Sequence, residues 1–546
     1  MTLVFDCDVL VVGGGPVGLL VAYELQARGV STILNERNLE TTRHPKMDIT
    51  NGRSLELMRR FGLAEKVRDA AVPRDHPMDV VWLTRFAEWE LARFRYKTTL
   101  QRQAEIRANN DGAQPLEPDM RLSQVLLEPL LRDLLVATGK SDVRYGVEFV
   151  SLEQDAECVT AKVRNSVSGE EYAIRSKYVA GCDGGRSKVR AELGISCSGA
   201  WSVASLFMIH FEVEDPEVLR RHGIAWHYQS PVGGTTIAQD DDCIFTLHVP
   251  LRPDEDVAAI NPQDLLYSAL GCEFPCTIIE SNAWTPHLVV ADTYGKERVW
   301  LAGDAVHQYI PTGGYGMNTG VGDAADLAWK FAAMVQGWGG PELLPSIESE
   351  RRPVGLANCQ AAGENAGVRF QIAAAYSPGV HLDDDLGAAA RAKLGTLILN
   401  LGNAENESRG IEFGYRYRQS LVIARDADDA EPDWSVLDYI PSTWPGARPP
   451  HLFLADGSAL FDHFGHDFTL VAFGGDDCST MRDAASQIGL PLKILPLSEP
   501  AARAVYECDY VLVRPDQMVA WRGNVLPEDC LSLLDIVRGE KRRDAL

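Results

Sequence analysis

The sequence predicts an α/β chain in which a mixed β-sheet domain interrupts a two-layer α/β domain and a further small unit closes the C-terminus. Three observations carry the prediction. A strand, a glycine turn Gly13-x-Gly15-x-x-Gly18 and a helix follow one another at the start, and a second glycine-rich turn, from Pro311 to Asn318, leads into another helix far downstream. Strand-like segments fill the interval, and after Arg425 the composition becomes acidic and turn-prone before another α/β pattern begins.

The first strand is Asp8-Val9-Leu10-Val11-Val12, and residues 17–28 carry apolar side chains at helical spacing. Gly13 permits the tight turn, Gly15 lets backbone approach a pyrophosphate, and Gly18 lets helix and strand pack closely. Phosphates there meet the partial positive end of the helix, whose first turn suits Pro16. A second strand pattern over 31–35 delivers Glu36, an acid placed to accept hydrogen bonds from ribose hydroxyls, followed by Arg37. The order of strand, glycines, helix and acid predicts a Rossmann-like dinucleotide site.

A chain of 546 residues exceeds a single core, so three or four structural units are expected. Its 45% apolar and 24% charged residues are ordinary for a soluble globular protein. A formal charge of −25 disfavours nucleic acid and anionic membrane as partners, because phosphate surfaces repel it. The sequence shows neither a basic segment leading into an apolar stretch at its start nor an apolar run of about 18 residues, so the protein reads as cytoplasmic. The eleven cysteines agree, being odd in number, scattered and free of any C-x-x-C. Cys272 and Cys276 are close but lack a nearby histidine, and no metal site is expected.

Along the chain, 51–61 reads as a helix, 75–96 as strands of another unit, 122–135 as a helix, and 143–150 with 159–163 as sheet. A strand over 177–180 ends in Gly181-Cys182-Asp183-Gly184-Gly185-Arg186-Ser187, and 197–290 is again strand-like. These segments assign 1–75, 100–190 and 290–360 to a nucleotide-binding domain and 76–99 with 191–289 to an inserted β-sheet domain. Residues 361–425 form a helical segment and linker, and 426–546 a C-terminal domain. Insertion of this kind leaves a cleft between the two larger domains.

Gly303-Asp304 follows a strand pattern at 298–301, where a carboxylate can reach a sugar or ribityl hydroxyl. Pro311-Thr312-Gly313-Gly314-Tyr315-Gly316-Met317-Asn318 then enters a helix over 319–334. Exposed N–H groups and a positive dipole end could face a reduced flavin ring there; a glycine loop capping an ordinary helix is the alternative. The split fingerprint points to FAD.

On Gly13-x-Gly15-x-x-Gly18 with Glu36, Asp183-Gly184 with Ser187 and Arg190, and Gly303-Asp304 with Pro311, Gly314, Gly316 and Asn318, the chain resembles the single-component FAD-dependent aromatic hydroxylases. That family includes p-hydroxybenzoate, phenol, chlorophenol and polyketide-tailoring hydroxylases, and the resemblance covers roughly residues 5 to 360. It implies that these residues, with Val17, Arg37, Gln124 and Met317, hold FAD. Lys46 stands where the family usually has an arginine, keeping the charge but not the bidentate geometry. The resemblance further implies that NADPH or NADH delivers hydride to flavin nitrogen 5, that dioxygen combines at carbon 4a, and that the hydroperoxide gives its distal oxygen to an electron-rich ring. A second strand-linked GxGxxG is missing, so NAD(P)H is expected to bind transiently across the cleft near Arg190, for which an ion pair with Glu192 is the alternative.

Phenol hydroxylases of the family carry an aspartate at the spacing of Asp48 before Arg53. Asp48 is therefore the candidate base beside the substrate hydroxyl, with Pro311 as the other catalytic candidate; a helix N-cap or surface acid is the alternative for Asp48. The inserted sheet offers His210, His227, Tyr228 and Gln239, of which His227, Tyr228 and Gln239 are the candidate substrate contacts; a satisfied core residue is the alternative for a histidine in a strand. Phenol hydroxylase's sheet arginine and tyrosine have no convincing match, so a larger or heteroaromatic ring fits as well as simple phenol. The expected function is hydroxylation of a phenolic or hydroxylated heteroaromatic small molecule, ortho to an existing hydroxyl. An epoxidising or Baeyer–Villiger enzyme of the same family, and a flavin-binding sensor, remain as alternatives.

Residues 445–451, Asp456-Gly457, 468–473 and 511–521 resemble the thioredoxin-like appendix of phenol hydroxylase. Cys478 sits where a redox motif would begin, yet Met481 occupies the place of the second cysteine, so dithiol exchange is not available. The appendix reads as structural or as an aid to homodimer formation.

Overall fold

Strand Cys7–Val12 lies at the centre of an eight-stranded sheet, parallel to Thr32–Glu36 on one side and to Glu171–Gly181 on the other. In this computed structural model residues 4–426, 428–474 and 477–540 are described; Ala427 of the expected linker and 541–546 of the expected C-terminal domain lie outside them. All residues of Cys7–Val12 except Asp8 are buried, as a parallel strand covered on both faces requires. Ser141–Tyr145 and Val299–Leu301 extend the parallel set, while Val147–Gln154 and Val159–Asn165 add an antiparallel hairpin to Glu171–Gly181. Helix Pro16–Ala27 packs against both Gln124–Ala137 and Tyr315–Gln336.

The second sheet has seven strands, in the order Cys276–Trp284, Leu206–Val213, Ile244–Pro250, Gly234–Ala238, His227–Ser230, Val80–Leu83 and Glu90–Phe94. Side chains alternate across it. Val81, Phe207, Ile209, Phe211, Tyr228, Phe245 and Leu247 form an apolar back face with Leu266, Ala269 and Leu270 of helix Pro262–Leu270. The front face carries His210, His227, Gln229, Thr246 and His248, whose register neighbours are Thr235, Ile237 and Val80. Arg369 of the long helix Ser346–Ala375 reaches over this face to donate to Thr235 Oγ1 at 3.0 Å.

The expected helix after the second glycine turn starts at Tyr315, inside the glycine-rich segment and not beyond it. Gly314 takes φ +63° as the N-cap, a left-handed conformation open to glycine, and a Cβ there would lie 2.4 Å from Ile49 Cγ2. The C-terminal part is a four-stranded sheet ordered Leu492–Pro496, Phe468–Ala472, Tyr510–Val513, Val519–Gly523, with only the first pair parallel. With helices Ser479–Gln487, Pro500–Tyr506 and Cys530–Val537 it has the order β-α-β-α-β-β-α. It shares a core with the flavin-side helix, where Trp329, Ala333 and Trp338 pack with Phe468, Leu470 and Leu512. Among the described residues no helix is long and apolar enough to cross a membrane.

Candidate active site

Two helix starts converge on one cleft. Val17, in the first turn of Pro16–Ala27, meets the turn at Gly303 and the second turn of Tyr315–Gln336: a Cβ at Gly303 would lie 3.0 Å, and one at Gly320 2.5 Å, from Val17 Cγ2. Gly13, at φ +112°, and Gly18 are equally confined, since a Cβ would stand 2.2 Å from the Cys182 carbonyl oxygen or 2.0 Å from that of Gly13. Gly15 and Gly316 face open space instead, and neither helix has a side-chain N-cap, so their first N–H groups are free to meet an anion. Asp304, beside Gly303, is exposed. Burial raises the Glu128 carboxyl, opposed by the Gln124 amide, the Thr42 N–H and the Lys46 ammonium. Lys46 is exposed, and the glycine turns with their two uncapped helix starts fit an extended dinucleotide with a charged pyrophosphate.

Asp48 stands between the cradle and the front face of the seven-stranded sheet. It is buried, and the Trp226 indole N–H donates to its Oδ2. Burial pushes its carboxyl above the ordinary carboxylate range, opposed by the Arg121 guanidinium and the Trp226 hydrogen bond. Arg121 is 2% exposed; its Nη2 donates to the Ala238 carbonyl and, at 3.3 Å, to that of Asp240, while Nε and Nη1 are buried without partners. Nearby on the front face both ring nitrogens of His227, the Gln229 Nε2 and the Gln239 Oε1 are likewise buried and unpartnered. Unpaired buried polar atoms are costly, so a cluster of donors and acceptors on one apolar-rimmed face marks a pocket built for a polar ligand.

Residues 6–362 match the FAD binding domain family and 442–536 the aromatic-ring hydroxylase C-terminal family. The FAD-dependent monooxygenase apdD of Emericella nidulans is 36% identical over 545 residues, covering 94% of this chain and 87% of that one. The 4-methyl-5-nitrocatechol 5-monooxygenase of a Burkholderia species is 31% identical over 559 residues, covering 96% and 95%. The rebeccamycin biosynthetic enzyme RebC, solved with reduced flavin, superposes with a TM-score of 0.89 at 33% identity, covering 98% of this chain and 99% of that one. The chain belongs to the FAD-dependent aromatic-ring hydroxylases.

In this hydroxylase several expected site residues hold the cradle together. Glu36 accepts from the Gly14 N–H at 2.8 Å and from Asn38 through its other oxygen, and Arg37 beside it is exposed. Asp183 accepts from the Ser187 hydroxyl and from the Lys188 and Val189 N–H groups, which fixes the start of helix Lys188–Glu192 beside Gly184. Arg190 forms no ion pair with Glu192; it donates to the carbonyls of Ala305, at 2.7 Å, and Gly185, at 3.0 Å, and so ties two motifs together. Gln124 is buried with its amide on Glu128 at 3.1 Å, Met317 is half-buried, and Pro311 is exposed with its carbonyl accepting from Gly314 at 3.3 Å. Asn318 spends its side chain on Asn51 N–H, Ser54 Oγ, the Ile49 carbonyl and the Gly314 carbonyl.

One candidate of the hydroxylase departs from expectation, and two of the alternatives are decided. Tyr228 points to the back face, where its hydroxyl donates to Gly223 and its ring packs on Phe86, because alternation sends it opposite to His227. His210 is a satisfied core histidine, bonded through Nδ1 to Phe245 and Thr246. The N-cap of helix Gly52–Arg59 is Asn51, not Asp48. Arg121 and Trp226 were missed: Arg121 neighbours Asp48 only through the pairing of Ile49 with Arg121, and a tryptophan carries no motif.

Proposed function

We propose that this hydroxylase inserts one atom of dioxygen into a phenolic or hydroxylated heteroaromatic ring, ortho to an existing hydroxyl, with NADPH or NADH as reductant. The observation that carries the reading is the buried Asp48 carboxylate set between the Trp226 indole, the Arg121 guanidinium and the unpartnered polar atoms of the sheet face. Ring C–H, dioxygen, NAD(P)H and a proton become ring C–OH, water and NAD(P)+. Bound FAD supplies the redox chemistry and the activation of oxygen. Asp48 accepts the hydroxyl proton of the ring, which raises electron density at the ortho and para carbons, and its raised pKa brings it closer to that of the phenol it deprotonates. The unpartnered Nε and Nη1 of Arg121 stabilise the resulting oxyanion, and His227, Gln229 and Gln239 orient the ring. Val80 and Trp226 keep water away.

A nitrocatechol in the name of one relative supports a hydroxylated ring as substrate class. None of the eleven cysteines is joined in a disulfide, which suits work in the reducing cytoplasm. The test is rapid-mixing absorbance with NADPH or NADH against a panel of phenols, hydroxypyridines and polyketide-like quinols, with product mass read in parallel. One ring should accelerate cofactor oxidation and gain one oxygen atom. Cofactor oxidation that no ring accelerates, with no oxygenated product, sinks the reading.

A further inference from the structure

Helix Gly52–Arg59 begins four residues after Asp48, and it is gripped from two sides. On one side Arg53 leads into the C-terminal domain: its Nη1 donates to Gln517 Oε1 at 3.1 Å and its Nη2 to the Asp516 carbonyl at 2.8 Å. One turn on, Glu56 accepts from Arg448 Nε at 2.8 Å and from the Leu116 N–H at 2.7 Å, with no part of this pair in contact with water. On the other side the Asn51 N–H and the Ser54 hydroxyl donate to Asn318 Oδ1 at 3.0 and 2.7 Å. Asn318 Nδ2 donates in turn to the carbonyls of Ile49, at 3.1 Å, and Gly314, at 2.7 Å. Hydrogen bonds joined by one helix therefore run from the turn at 514–518 to the glycine-rich segment on the flavin side.

Gln517 is the far end of that path. It is buried and holds φ +58°, a left-handed conformation that a non-glycine residue keeps only where its surroundings impose it. Glycine would relieve the backbone but remove the side chain that meets Arg53. Strain retained at a buried position, for a side chain that crosses a domain boundary, points to a task for that side chain.

We propose that the C-terminal domain is a positioning domain for hydroxylation: through Gln517 and Arg53 its turn at 514–518 fixes helix Gly52–Arg59 and so sets where Asp48 stands. The proposal rests on the reading of Asp48 given above. Gln517 and Arg53 act through the helix and are positioning residues. When the grip loosens, NAD(P)H, a proton and dioxygen are turned to NAD(P)+ and hydrogen peroxide in place of oxygenated ring.

Gln517→Asn tests this in the full-length flavin-loaded enzyme, because asparagine tolerates the left-handed backbone but is one methylene too short for Arg53. Amide hydrogen exchange across 47–60 should rise several-fold with FAD content unchanged, and product formed per NAD(P)H should fall roughly tenfold. Gln517→Glu, which keeps the reach and pairs with Arg53, should restore both. Unchanged exchange across 47–60, exchange that rises equally throughout 468–523, or a defect that glutamate does not repair overturns the proposal. Should the wild-type enzyme oxygenate no ring, the Asp48 reading falls while the exchange measurement still decides the role of the turn.

Discussion

A carboxylate kept from water holds its proton more tightly, and Asp48 is such a group. The hydroxylation rate should therefore rise with pH along an acid limb displaced above the ordinary carboxylate range. Asp48→Asn should remove that limb and lower the rate about a hundredfold with FAD still bound; a pH–rate profile of the purified variant checks it. The same shift fixes a sign for stability. A carboxyl whose pKa is raised on folding favours the folded state at low pH and loses that contribution as pH rises through the raised value. Asp48→Asn should accordingly gain in melting temperature over wild type above that value and match it in acid, as melting curves across pH will show. Glu36→Ala and Asp304→Ala should each lower FAD occupancy, read from the ratio of flavin to protein absorbance. Asp48, the glycines and Glu36 were legible because motif spacing places them. Trp226 was not, since 178 residues separate it from Asp48 and only the sheet register brings them together.

At the scale of elements, the cradle depends on how closely two helices approach. Gly320→Ala would press a methyl to 2.5 Å from Val17 Cγ2 and 3.2 Å from the Gly303 Cα. Overpacking of this kind costs about 1–3 kcal/mol, so the variant should unfold at lower denaturant and bind FAD more weakly. Gly18→Ala is the harsher change, for its methyl meets the Gly13 carbonyl oxygen at 2.0 Å and backbone cannot swing aside. Element order and most strand positions were legible from periodicity and turn residues. Facing was legible only where register could be guessed: His227 and Tyr228 are neighbours in sequence, and the two-residue period gives one to the pocket and the other to the apolar back. The capping role of Asp183 and the bracing role of Asn318 were hidden, because a family motif records which residue recurs and not which partner it bonds.

Across the whole molecule, the boundary between flavin and C-terminal domains is held by buried charge. Arg448 meets Glu56, and Arg514 joins Glu350 and Asp326, which also hold Lys330. Breaking one side of such a pair leaves an uncompensated charge, so Glu56→Ala should cost about 3–5 kcal/mol in chemical denaturation. The paired change Glu56→Leu with Arg448→Met should recover much of that loss. None of the contacts made by Arg448 and Arg514 across this boundary was legible, since each joins residues at least 164 positions apart without any pattern near either one. A gene cut short at the linker would strip Trp329, Ala333 and Trp338 of their cover and leave Asp326, Lys330 and Glu350 without Arg514. The appendix is thus a part its host cannot shed. Lineages can trade these two halves only together.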